Sequence, residues 1–431
     1  MDIKALEKGY AIFKDDLKNY TKIYEYLKGS TDAMLNYKFI TERTNLKVNI
    51  NFVKKFIIEE TSYTAGNKAN YTDINNDKTS LKAIVRTVRG WREEHDSNLL
   101  NEALTYGRAW ELYYRDEDEN LQAIIETPKS AFLIKDGFDR PLYFVRMYEQ
   151  DTKSVVEAYD NTYMYKKKGD FSLIGVDFKN MTKTPHGFND VPVSECEISK
   201  DKHYFTIYND IKGLQDAYET NLSDIVNEIS DFRNAYLTVK GANFENPDTD
   251  LPKMKEQGIL VNGDWAWLTK NINDSFIQNT LKTLEDKMYQ ITAHINTNEK
   301  LQSNLSGAAL RSRMLSLEQK CSLNGKALIN AMKRRLKFIF YIENLLESSK
   351  YDWRDIDISI APNIPMDDNI IADIITKIGD TGIVSKETLR KQISFVDNPE
   401  AEAEKVKTES ATVDIGSELI NQARKESDVI D

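Results

Sequence analysis

Between Asn296 and Ser349, apolar residues fall at Leu310, Met314, Leu317, Cys321, Leu328, Met332, Leu336, Ile339 and Leu346. The steps are threes, fours and their sums, which place one stripe along a helix. The pattern predicts a helix over about residues 306–347, roughly 60 Å long at about 1.5 Å per residue, with Ser306 as its N-cap. That exceeds the diameter of a small domain, so part of its surface is expected to face another domain or subunit. Asn324 and Gly325 interrupt the stripe. A mid-helix glycine costs on the order of 1 kcal/mol against alanine, and long helices bend at such places.

Two shorter stripes precede it. Ile211, Leu214, Tyr218, Leu222, Ile225, Ile229 and Phe232 form one; Ile277, Leu281, Leu284, Met288, Ile291 and Ile295 form the other. Two helices with matching stripes are expected to pack along each other. Between them, 234–270 breaks into short apolar runs and a loop with Pro247 and Pro252, ending in Trp265-Ala-Trp267. This predicts a small α/β or all-β insert. Alternation places the two tryptophans on one side of a strand, either in a local core or on a docking surface.

The first 100 residues read mainly as helix, including 48–66 with Gly66 as its stop and 80–106 after a polar loop at 67–79. The texture changes at Gly107. Ala109–Tyr114, Leu121–Thr127, Ala131–Lys135, Leu142–Glu149, Ser154–Tyr159, Thr162–Lys167 and Ser172–Val176 are short, rich in β-branched and aromatic residues, and separated by turn residues. They predict a hairpin-rich region. After the long helix, 353–362 reads as a strand, 365–378 as a helix, and 382–390 as a turn and short helix. From Pro399 onward nine acidic and four basic residues predict a solvated tail. The fold class is therefore α+β, mainly helical.

Composition narrows the functional classes. The chain has 431 residues and a net charge of -11, which argues against wrapping nucleic acid by bulk attraction but permits a passage that nucleic acid moves through. No run approaches the roughly 18 apolar residues of a membrane helix, and the first residues lack the apolar stretch of a signal peptide. Only Cys196 and Cys321 are present, pointing to free thiols. His95, His186, His203 and His294 form no i, i+4 pair and join no cysteine cluster, so no metal is expected. The run Arg115–Asn120 imitates a calcium loop but has Leu121 and Thr127 where glycine and glutamate belong; a hairpin turn is expected. Gly325-Lys326 lacks the hydroxyl and first glycine of a phosphate loop and lies within a helix. No cofactor and no enzymatic constellation is predicted. The long helix is locally basic, with Arg311, Arg313, Lys320, Lys326, Lys333, Arg334, Arg335 and Lys337. Those cations are suited to acidic surfaces of neighbouring domains or subunits, or to DNA phosphates.

In combination, several passages resemble the SPP1-type portal proteins of tailed bacteriophages. They are Asn51 to Tyr63 with Gly66, Ala103-Leu-Thr-Tyr-Gly-Arg-Ala-Trp-Glu111, Asn189-Asp-Val-Pro192, Asn221-Leu-Ser-Asp-Ile-Val-Asn227, Ser306-Gly-Ala-Ala-Leu310, Leu317-Glu-Gln-Lys320, Gly382-Ile-Val-Ser-Lys-Glu-Thr388 and Asn398-Pro-Glu-Ala-Glu-Ala-Glu404. They follow the family's order through nearly the whole chain.

The resemblance implies a homo-oligomeric ring, usually of twelve copies in the virion, at one capsid vertex, through which double-stranded DNA is packaged and ejected. Residues 1–205 would be the wing, 206–233 and 273–295 the stem, and 234–272 the clip, which docks terminase and then head-completion or adaptor proteins, here through Trp265 and Trp267. Residues 296–305 would be the tunnel loop, presenting Asn298, Glu299, Lys300, Gln302, Ser303 and Asn304 to DNA. Residues 306–349 would be the long helix with its kink at Asn324 and Gly325, and 350–431 the crown and acidic tail. Scaffolding and major capsid proteins would be further partners, with assembly in the host cytoplasm and no membrane. The N-terminal segment and crown are short for the family. A non-portal oligomeric helical scaffold and a capsid-associated enzyme are the competing readings.

Overall fold

The computed structural model describes residues 1–38, 45–172, 174–232, 236–240, 248, 264–268, 274–296, 307–346 and 350–363, with shorter pieces at 375–379, 381, 383–390 and 402–408. At 231–232, 236–240, 264–268, 274, 307–313, 346 and 387–388 the description is of the backbone alone. Two compact units are present, Met1–Asn363 and Ile364–Asp431. In the second, 375–379, Lys386–Arg390 and 402–408 are helical, and Leu389 is buried.

The first unit begins with α1 (Ile3–Leu27), whose N-cap Asp2 accepts the Ala5 N–H at 3.2 Å, and the short α2 (Asp32–Asn36). Helix α3 (Phe52–Ala65) starts where the Asn51 side chain accepts the Lys54 N–H at 2.9 Å and ends at Gly66. The stretch 67–79, expected to be loop throughout, contains strand β1 (Asn70–Asp73) and the first residues of α4 (Lys78–Arg89). Its polar sequence hid a strand that gains its partner from far along the chain: β1 pairs antiparallel with β12 (Ile356–Ser359). Helix α5 (His95–Tyr106) follows. Gly107, at φ +83°, turns the chain into the strands, and a Cβ there would stand 2.0 Å from the Lys202 carbonyl oxygen.

Strands β2 (Arg108–Arg115), β3 (Leu121–Glu126) and β9 (Val193–Glu197) form one antiparallel sheet in the order β3-β2-β9. Strands β4 (Ala131–Lys135), β5 (Pro141–Gln150), β6 (Lys153–Tyr159), β7 (Tyr163–Gly169) and β8 (Thr182–Pro185) form a five-stranded meander. The β2–β3 connection is the expected hairpin turn, with the Asp116 carboxylate accepting the N–H groups of Asp118 and Asn120 at 3.0 and 2.8 Å. Ser172–Val176, expected to be a strand, contains a turn closed by the Gly175 N–H on the Ser172 carbonyl. The exposed edge strand is β8, whose Thr-Lys-Thr-Pro sequence carries no apolar alternation.

Helix α1 lies on the meander through Leu6, Tyr10 and Phe13, against Phe132, Val145, Met147 and Val156. The main core gathers α3, α5, β2 and the second half of the long helix. Helix α6 (Ile207–Phe232) and helix α7 (Asp274–Thr292) pack along each other as their stripes predict. Between them β10 (Tyr236–Lys240) and β11 (Asp264–Leu268) form an antiparallel pair. Helix α8 (Gly307–Leu346) is the long helix. Of its predicted stripe, Leu317, Cys321, Leu328, Met332, Leu336 and Ile339 are buried and Met314 is half-buried, while the side chains of Leu310 and Leu346 lie outside the described residues; Leu315 and Leu323, off the stripe, are exposed.

Candidate channel and docking elements

Helices α6 and α7 present two different faces. Their apolar stripes are only half-buried at Leu214, Tyr218, Leu222, Ile225, Ile277, Leu281 and Leu284, and Ile229, Phe276 and Ile291 are exposed. The fully buried face of α6 is polar: Gln215, Glu219, Ser223 and Asn227, one turn apart. These side chains hold the extended segment before α3. Asn227 Oδ1 accepts the Leu46 N–H at 2.7 Å, Ser223 Oγ the Val48 N–H at 2.9 Å, Glu219 Oε1 the Ile50 N–H at 3.1 Å, and Gln215 Oε1 the Val53 N–H at 3.2 Å. Four helical residues rise about 6 Å and two extended residues nearly 7 Å, so the first three rungs meet every second amide, while the fourth reaches Val53, three residues on and in the first turn of α3. Backbone donors that a sheet would satisfy are satisfied by a helix face. Sequence reasoning missed this ladder because the neighbouring apolar stripe dominated the helical period. The four polar residues at steps of four were the available signal.

The end of α7 is pinned more tightly. Ala293 has φ +62°, a left-handed conformation that costs an L residue about 1–2 kcal/mol. His294 then turns inward, stacked on Phe56 at 4.3 Å between ring centroids, with Nδ1 3.0 Å from the Thr292 carbonyl oxygen and Nε2 3.2 Å from that of Phe56. Burial, followed by the charge of Lys320, pushes the imidazole down to about 3. The ring is therefore neutral at physiological pH and donates to only one of the two carbonyls. Lys320 of α8 reaches the same place. Its Nζ donates to the Thr292 carbonyl at 3.2 Å and lies 2.5 Å from Oε1 of the buried Glu60 on α3. Burial pushes the Glu60 carboxyl up against the pull of that cation, and Asn324 Nδ2 donates to Glu60 Oε2 at 2.8 Å.

The expected DNA-facing residues Asn298, Glu299, Lys300, Gln302, Ser303 and Asn304 lie outside the described residues, between α7 and α8. Trp265 and Trp267 fall on β11, opposite Val239 and Leu237 of β10. Asn324 and Gly325 lie within α8, which is helical from Gly307 to Leu346. Asn324 is buried on Glu60, and a Cβ on Gly325 would meet only Thr64 Cγ2, at 3.5 Å.

Half of the basic run on α8 is used inside the chain. Lys320 pairs with Glu60, Arg334 and Lys337 with Asp190, and Arg335 with Glu111 and Asp96. Lys326 and Lys333 are exposed, and the side chains of Arg311 and Arg313 lie outside the description. Asp190 belongs to the Asn189–Pro192 passage, so that passage positions a carboxylate under α8.

Among the described residues no group of three or more histidine, cysteine or acidic side chains is placed to hold a metal, no helix is long and apolar enough to cross a membrane, and both cysteines are free and buried.

Residues 6–415 match the family model described as phage portal protein, SPP1 Gp6-like. The portal protein of Bacillus phage SPP1 is 22% identical over 401 residues, covering 85% of this chain and 76% of that protein. Among solved structures, the chain resembles one from the neck of an empty gene transfer agent particle (TM-score 0.48, 10% identity, 79% of this chain and 89% of that one). It also resembles one from the virion of a native gene transfer agent particle (TM-score 0.43, 10% identity, 78% and 87%). The chain belongs to the SPP1 Gp6-like family of phage portal proteins, a structural family of the virion.

Proposed function

We propose that copies of this chain assemble into a ring at one capsid vertex and form the channel through which double-stranded DNA enters and leaves the head. The observation that carries the reading is the family match through residues 6–415. The exposed apolar residues of α6 and α7 support it, because a rod with an open apolar face is completed by a neighbouring copy. In this reading α6 and α7 are the stem and residues 1–205 the wing. The β10–β11 pair belongs to the clip, where Trp265 and Trp267 meet terminase during packaging and adaptor proteins afterwards. Residues 296–305 face the DNA, residues 350–431 form the crown and tail, and α8 bends at Asn324–Gly325. Scaffolding and major capsid proteins surround the wing. The role is structural, without a catalytic step or a cofactor, and assembly precedes genome entry in the host cytoplasm.

The net charge of -11 suits a conduit. A wall that bound phosphates tightly would hold the duplex, whereas one that is mainly repulsive with few cations lets it slide. Light scattering and negative-stain imaging test the ring: annular particles many times the 49.7 kDa chain mass are expected, and a chain that stays monomeric at every concentration overturns the reading. In assembled particles, Lys300→Glu is expected to leave the ring intact and change the amount or rate of DNA packaged. Unchanged packaging removes that residue from the DNA path.

A further inference from the structure

We infer that Lys320 is a positioning residue that ties the C-terminal end of α7 to helix α3, so that the end of this rod moves with the α3 core. The inference rests on the channel reading for its functional meaning, and on geometry alone for the tether.

Three elements meet at one ammonium group. Lys320 is carried by α8, donates to the Thr292 carbonyl in the last turn of α7 at 3.2 Å, and pairs with the Glu60 carboxylate of α3 at 2.5 Å. A carbonyl in the last turn of a helix has no intrahelical partner, and it sits at the negative end of the helix dipole, where a cation is favoured. Lys320 therefore meets both needs of that terminus. The carboxylate it pairs with is fully buried and also bound by Asn324, so the cation is drawn to a fixed point in the core. A fourth element contributes charge: the carboxylate of Asp210, at the start of α6, lies within electrostatic range of Lys320. His294 closes the arrangement from the other side, stacked on Phe56 and facing its carbonyl. Ala293 keeps its left-handed backbone between these two anchors. Nothing in the apolar packing at this end of α7 requires a lysine, since Met288 and Tyr289 already anchor it in the core. The cation acts on the helix end.

The test separates a tether from simple stabilisation. Lys320→Met alone strands a buried carboxylate and can fail to fold, so the decisive protein is the double variant Lys320→Met/Glu60→Gln, which removes both charges and keeps the volume. Glu60→Gln alone keeps the Nζ to Thr292 contact and serves as its control. Amide hydrogen exchange is measured in the full-length protein. The reporters are Ala293 and His294, whose N–H groups donate to the carbonyls of Gln290 and Tyr289. Losing one hydrogen bond at a helix end is expected to raise exchange there about tenfold. That rise is expected in the double variant, with the middle of α7 and the melting temperature unchanged, and exchange in Glu60→Gln is expected to stay near that of the parent. Equal protection at Ala293 and His294 in all three proteins overturns the tether. Packaged DNA length in particles carrying the double variant is expected to shift. A shift in exchange without any change in packaging leaves the tether standing but overturns its role in the channel. Absence of rings in the parent protein is a separate failure, that of the channel reading.

Discussion

Arg335 and Glu111 form a fully buried ion pair, Nε to Oε1 at 2.9 Å, joining the long helix α8 to the central strand β2. The guanidinium also lies 2.7 Å from Asp96 and stacks over Trp91 at 5.1 Å. Glu111 accepts from Tyr113 at 2.8 Å and faces His95 at 2.8 Å. Burial alone would push the Glu111 carboxyl up. The charge of Arg335, with the hydrogen bonds of His95 and Tyr113, outweighs it and holds the group at about 2. Removing one partner strands the other, so Arg335→Met is expected to cost about 3–5 kcal/mol. Arg335→Met/Glu111→Gln should recover most of that loss, as chemical denaturation of the three proteins would reveal.

The same pair sets an acid sensitivity. A carboxyl held below its ordinary value binds fewer protons folded than unfolded, so it stabilises the fold above about pH 4.5 and loses that contribution as pH falls through about 2. For Glu111 the contribution is on the order of 3 kcal/mol. Glu157, held at about 2 by Arg146, Lys166, Tyr148 and Tyr159 against the effect of burial, acts in the same direction. Stability measured from pH 5 to pH 2 should therefore fall steeply in the parent protein and less steeply in Arg335→Met/Glu111→Gln. Parallel curves would show that Glu111 does not govern the acid limb.

Gly107 sits where α5 becomes β2, and its φ of +83° is combined with a close approach to the Lys202 carbonyl. Alanine would need both an unfavourable backbone region and a displaced neighbour. Gly107→Ala is expected to destabilise by about 3 kcal/mol or more, giving a strongly lowered melting temperature or insoluble material. A melting temperature within a degree of the parent would contradict the geometry.

Much of this architecture is readable from local pattern. The α8 stripe recurs against the core, the matching stripes of α6 and α7 announce their pairing although they stay mostly half-buried, and the strands from β2 to β7 stand out as short β-branched and aromatic runs between turns, with β2 and β6 buried on both faces. What was not legible depends on distant partners. Strand β1 has no apolar alternation of its own and exists because β12 pairs with it. Ser172–Val176 has strand-like composition, yet Val176 packs toward the α1 cluster and Ile174 faces solvent, so the chain turns. At the candidate channel, the basic run on α8 was visible, but the use of Lys320, Arg334, Arg335 and Lys337 within the chain was not. Their partners Glu60, Asp190 and Glu111 are separated from them by more than a hundred residues, and no local pattern links them.

Phe276 and Ile229 are 69% and 57% exposed on α7 and α6, beside half-buried Ile225, Ile277 and Leu281. Their burial in a single copy is too small for truncation to cost much stability. Phe276→Asp with Ile229→Asp is expected to change the monomer melting temperature little and to weaken assembly by at least tenfold in concentration, about 1.4 kcal/mol. Sedimentation across a concentration series reads this directly. Unaltered assembly would place the neighbouring copy on another face.

Gly325 offers the cleanest separation of packing from bending. Alanine at that position meets only Thr64 Cγ2 at 3.5 Å, an ordinary contact, and the residue lies inside helix α8. If the glycine served the fold alone, it would be a liability, since a mid-helix glycine is worse than alanine by about 0.5–1 kcal/mol. Gly325→Ala is therefore expected to raise stability by roughly that amount. On the proposed reading, in which α8 bends here as the ring works, the same substitution stiffens the helix and should reduce DNA packaging while rings form normally. Melting curves and packaging yield on one variant thus move in opposite directions. Stability that rises with packaging untouched would leave Asn324, through its bond to Glu60, as the functional member of the pair and remove the bend from the mechanism.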